Sequence, residues 1–127
     1  MLPHFQIGMW NTHLFIWFAV IYEAPQKELI AERFSKKIAK IYKDTPKDYV
    51  WSVDHTKPET IAHRHLSKEE LRSLFDRLHN VKKAELLCGY TIEREKVIQL
   101  GSDQLIQQIE GVFEKVATLY RISQNRK

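Results

Sequence analysis

The chain has 127 residues, of which 43% are apolar and 28% charged, with a formal net charge of +4 and a single cysteine. That length suits one domain burying roughly two-thirds of its unfolded surface, and the apolar content excludes an intrinsically disordered segment. One thiol, Cys88, excludes an internal disulfide and any CxxC or Cys/His zinc pattern, and it fits a reducing compartment.

Residues 4–10 alternate, with Phe5, Ile7 and Met9 on one side and His4, Gln6 and Gly8 on the other, the pattern of a half-buried strand. Asn11-Thr12 is a tight turn into a second strand over 13–22, so the two form a hairpin. Residues 14–22, LFIWFAVIY, are apolar without a break. A membrane helix needs about 20 such residues. No basic residue precedes the run and no small-residue cleavage site follows it, so it is not a signal peptide. Its β-branched and aromatic content marks an interior strand wanting cover on both faces. Without a targeting signal, the cytoplasm is the expected location and no membrane partner is expected.

Pro25 suits a first helical position, and Ile30, Phe34, Ile38 and Ile41 recur at helical spacing, predicting one helix over 25–43 that Asp44-Thr45-Pro46 stops. A third strand follows at 49–53, then a polar loop with Pro58 and a short strand over 60–65. Ser67-Lys68-Glu69-Glu70 is a capping box opening a helix over 68–80. Leu86, Cys88, Tyr90 and Ile92 at period two predict a strand over 84–93. Residues 94–100 are a helical turn or a loop, and Ser102 can cap a last helix over 103–121. The sum is an α+β domain, a mostly antiparallel sheet of four or five strands packed with three amphipathic helices. Residues 1–127 read as a single domain.

The chain opens almost directly on a strand, as the interior of a fold does. The strings MLPHFQIGMWNTHLFIWFAVIYE (1–23), DYVWSVDHTKP (48–58), VKKAELLCG (81–89) and QIEGVF (108–113) resemble the YktB family, uncharacterised proteins of Bacillus-type bacteria. The resemblance also takes in residues 66–78 and so covers essentially the whole chain. It implies that family members are longer, with a segment before the one beginning here, so that this chain is expected to be the C-terminal part of a longer domain. It also implies an α+β fold distantly like the catalytic domains of biotin ligases and class II aminoacyl-tRNA synthetases. The arginine-bearing motifs with which those enzymes grip ATP have no counterpart here, and no catalytic residue carries over.

From the residues themselves, the candidate ligand pocket is Trp51, Asp54, His55 and Lys57, at a strand end and the loop after it, where acid/base groups are commonly presented. Asp54 and His55 point to opposite faces if the strand continues through them. His63 and His65 would share a strand face and could ligate zinc with His55 or Asp54, but no larger ligand spacing frames them, so no metal is expected. His4 and His13 flank the hairpin and could face a cleft. Cys88 has no neighbouring cation to activate it and reads as a buried, inert thiol.

Glycine-rich phosphate loops, nucleophile elbows, HExxH and dinucleotide fingerprints are absent, and no cofactor is expected. The basic residues Lys36, Lys37, Lys40 and Lys43 cluster near a helix end, where they suit the negative pole of the helix dipole. Charge is otherwise evenly mixed, eight Lys/Arg against seven Asp/Glu in 1–60 and twelve against nine in 61–127, which argues against nucleic acid. The expected function is a binding module for a small ligand or a macromolecular partner. The alternatives are a small enzyme using Asp54, His55 and Lys57, and nucleic-acid binding through the basic helix face.

Overall fold

A computed structural model describes residues 2–125. Strands β1 (His4–Met9) and β2 (His13–Val20) form the expected hairpin, closed where the Trp10 amide donates to the His13 carbonyl at 2.8 Å. Helices α1 (Lys27–Lys36) and α2 (Ile38–Asp44) follow, then β3 (Val50–Ser52) and β4 (Ile61–Ala62). A 3-10 turn at His63–His65 leads to α3 (Lys68–Asn80), β5 (Leu86–Glu93), α4 (Arg94–Gln99) and α5 (Ser102–Ser123). The sheet is antiparallel throughout, in the order β1-β2-β5-β3-β4.

Strand β2 pairs along its length with β1 on one side and β5 on the other, so it is interior, as its apolar run requires. Its two faces fare differently. Leu14, Ile16, Phe18 and Val20 join Trp51, Leu86, Cys88 and Ile92 and the apolar stripes of α1, α2, α3 and α5 in one core. Phe15, Trp17, Ala19 and Ile21 join only Leu87 and Val50, a smaller cluster drawn from the strands and the residue just past β2. No helix residue joins this second cluster among the described residues. Large side chains instead lie over small ones: Phe15 stacks on Trp17 at 5.5 Å, and its ring occupies the space that a Cβ at Gly8 would take.

Three expectations need correction. The helix predicted over 25–43 breaks at Lys37 (φ −105°, ψ 19°), whose amide is shared between the Arg33 and Phe34 carbonyls. The apolar spacing survives the break, since Ile30, Phe34, Ile38 and Ile41 are all buried. Pro25 precedes the cap residue Gln26, which sits in the left-handed region (φ 59°), because the helix start is anchored elsewhere. The ammonium of buried Lys27 donates to the carbonyls of Val81, Lys82 and Ala84 at 2.9, 2.6 and 2.9 Å. Ser102 does not cap α5, whose cap position is Gly101 with no side-chain bond. The Ser67 box forms as expected: the Glu70 amide donates to Ser67 Oγ at 3.1 Å and the Ser67 amide to Glu70 Oε1 at 2.9 Å.

A candidate ligand site around His55 and Glu85

The loop after β3 is shaped by its own polar residues. Asp54 turns back on itself: its carboxylate accepts the Thr56 amide at 2.9 Å and the Thr56 hydroxyl at 2.6 Å. Those two bonds hold its carboxyl below the usual carboxylate range, the hydroxyl being the larger cause. The Lys57 amide closes the turn on the Asp54 carbonyl at 3.2 Å. This geometry carries His55 toward the start of β5.

There it meets Glu85. Continuing the alternation of β5 puts Glu85 on the side of Leu87, the face without helices. Its carboxylate is only 4% exposed and is fully engaged. Oε2 accepts the Tyr22 amide at 3.1 Å, and Oε1 accepts the His55 amide at 3.0 Å. The imidazole Nδ1 of His55 lies 2.8 and 2.9 Å from the two oxygens. An ionised carboxylate only accepts, so Nδ1 is the donor to Glu85, and Nε2 has no partner among the described residues. A carboxylate fixing an imidazole this way selects its tautomer and orientation, as in both catalytic and metal-binding histidines.

His55, Asp54 and Lys57 line one concavity of about 440 Å³ together with Tyr22, Val53, Glu59, Arg77, Lys83 and Glu85. Trp51 is elsewhere. Its ring is fully buried in the helix-side core, and its indole N–H donates to His63 Nδ1 at 3.0 Å. That bond, with His63 Nε2 donating to the Tyr42 carbonyl at 2.9 Å, occupies both nitrogens of a buried histidine. His63 and His65 lie on the 3-10 turn and share no strand face. The donor atoms that do converge are those of Asp54, His55 and Glu85, within 4.8 Å of one another, a spacing that could hold a metal ion. Both carboxylates are, however, already taken up by the loop and the imidazole.

Of the remaining candidates, His4 finds a backbone partner at the Leu2 carbonyl, 2.8 Å from Nδ1. His13 lines a second, polar concavity with Thr91, Glu93 and Arg94; its Nδ1 meets the Thr12 hydroxyl, and its Nε2 is buried without a partner among the described residues. Cys88 is buried in the core, and burial pushes its thiol pKa up, which leaves it inert. Lys36, Lys37, Lys40 and Lys43 are exposed across the α1–α2 break, with Lys40 paired to Asp44 at 3.0 Å.

A family model described as a domain of unknown function, DUF1054, matches residues 1–120. The chain belongs to this family. Among its relatives, a UPF0637 protein of Bacillus velezensis is 47% identical over 97% of this chain and 59% of its own length. A UPF0637 protein of Bacillus licheniformis is 45% identical over 97% of this chain and 58% of its own. A third, of Bacillus cytotoxicus, is 43% identical over 96% and 59%. The chain thus spans less than two-thirds of the length of these relatives. The DUF1054 match runs through every segment that builds the concavity, Tyr22, the loop at 53–59, Arg77 and the turn at 83–85. No helix among the described residues is long and apolar enough to cross a membrane.

Reasoning from sequence missed Glu85, Arg77 and Lys83. Glu85 left a trace: it is the one charged residue in AELLCG, a string otherwise suited to a buried strand. Arg77 and Lys83 looked like ordinary solvated charge.

Proposed function

We propose that this chain is a binding module for a small ligand, seated in the concavity of Asp54, His55 and Lys57. The observation that carries the reading is the buried Glu85 carboxylate gripping His55 Nδ1 at 2.8 Å. A buried carboxylate costs several kcal/mol to desolvate, and here that cost serves to fix one partly exposed imidazole at the wall of a cavity. Oriented polar groups converging on a concavity are a usual mark of a ligand site.

A thermal-shift panel spanning neutral, anionic and cationic small molecules tests it. A ligand at about a hundred times its Kd stabilises the native state by about 2.7 kcal/mol. At least one compound class should raise the midpoint of the wild type and raise that of His55→Ala far less. Equal shifts in both proteins, or no shift with any compound, would refute the reading.

A second reading, a small acid/base enzyme, is favoured by the same unengaged Nε2. An imidazole held at Nδ1 by a carboxylate presents Nε2 as a general base. Turnover abolished by His55→Gln, with binding of the panel hit retained, would select this reading over simple binding.

A further inference from the structure

The concavity around His55 has an uneven supply of unsatisfied groups. Its acceptors are largely taken: Asp54 by the Thr56 amide and hydroxyl, Glu85 by two backbone amides and the imidazole. Its donors are not. Lys57 from the loop, Arg77 from α3 and Lys83 from the turn before β5 line the same volume, and their charged groups make no hydrogen bond or ion pair among the described residues. Only one lining carboxylate, Glu59, is similarly unengaged.

Lys57, Arg77 and Lys83 come from three separate segments and share the concavity with three carboxylates, two of which already accept hydrogen bonds, so what is uneven is the count of unengaged donors over unengaged acceptors. Arg77 offers a planar fork suited to two oxygens at once, and the lysines offer mobile point charges. His55 adds Nε2, which accepts the proton of a monoprotonated phosphate.

We infer that the ligand of this concavity carries a phosphate monoester or an equivalent compact oxyanion, gripped by Lys57, Arg77 and Lys83 beside His55. The inference rests on reading the concavity as a ligand site and goes further by naming the ligand's chemistry. The same supply opposes a divalent cation at Asp54, His55 and Glu85, since an ion there would displace their existing hydrogen bonds.

The probe is inorganic phosphate, titrated at fixed ionic strength into the full chain and followed by amide ¹H–¹⁵N spectra. The expected result is a saturable shift confined to residues 53–59, 77 and 83–85. The double variant Arg77→Gln/Lys83→Gln should weaken it by about tenfold or more, the scale of losing charge-assisted hydrogen bonds. Lys96→Gln, an exposed cation on α4 that does not line the concavity, should leave it unchanged. Unshifted amides outside the concavity show that each variant is folded.

Phosphate without effect, while a neutral or cationic compound of the panel shifts these residues, overturns the inference and leaves the ligand site standing. Silence from phosphate and panel alike removes both. Equal weakening by Lys96→Gln, or selective broadening of residues 54, 55 and 85 by Mn²⁺ with no phosphate response, also overturns it.

Discussion

Glu85 accepts hydrogen bonds from two backbone amides and an imidazole, and the start of β5, the end of β2 and the loop after β3 meet at that one side chain. Glutamine has the same shape but a single acceptor oxygen, so Glu85→Gln leaves one part-buried amide facing an NH₂ group. An unsatisfied buried donor costs about 1–3 kcal/mol, and urea denaturation should show a loss of that size. Asp54 supplies a pH test. Its folded pKa lies below the ordinary 3.8, so its contribution to stability is present above that value and fades as pH falls through the folded pKa. The Thr56 hydroxyl is the larger cause, so Thr56→Val should move Asp54 back toward its ordinary titration, read by NMR of the carboxyl carbon.

Elements differ in how plainly local sequence encodes them. Helix α3 was legible to the residue because its signal is local: Ser67 and Glu70 satisfy each other's amides, and Leu71, Phe75 and Leu78 repeat at helical spacing. The break between α1 and α2 was not, because apolar spacing runs through Lys37 and the helix start is set by Lys27 reaching carbonyls more than fifty residues away. Strand β5 was legible from its alternation, yet its tightest constraint is a glycine. Gly89 pairs with Trp17 on one side and Val50 on the other, and a Cβ there would fall on the Ile16 carbonyl. Backbone cannot yield as a side-chain tip does, so Gly89→Ala should cost about 3 kcal/mol, measurable as a lowered denaturation midpoint. Both faces of β2 are covered, as its sequence requires, though helices supply the cover on one side only. Gly8 and the neighbouring aromatic rings let the second face pack on itself.

Across the whole molecule, the α+β class and the antiparallel sheet follow from periodicity. The candidate site does not, since Tyr22, His55 and Glu85 are brought together by the order β1-β2-β5-β3-β4 and Arg77 by the packing of α3. Asp54, His55 and Lys57 could be singled out because they are close in sequence. Their partner Glu85 could not, being thirty residues further on. Trp51 was drawn into the same group by proximity alone, and the one-sided helical layer takes its ring to the opposite face of the sheet. The fold therefore places a polar loop beside an open concavity by setting a buried carboxylate against one histidine. A long-range ¹H–¹⁵N spectrum of the imidazoles, recorded at about pH 8 where an ordinary histidine is neutral, observes that arrangement directly. His55 should appear as a single tautomer, protonated at Nδ1 and bare at Nε2. A ring protonated at Nε2 alone, or one averaging between the two neutral tautomers, would mean that Glu85 does not hold it.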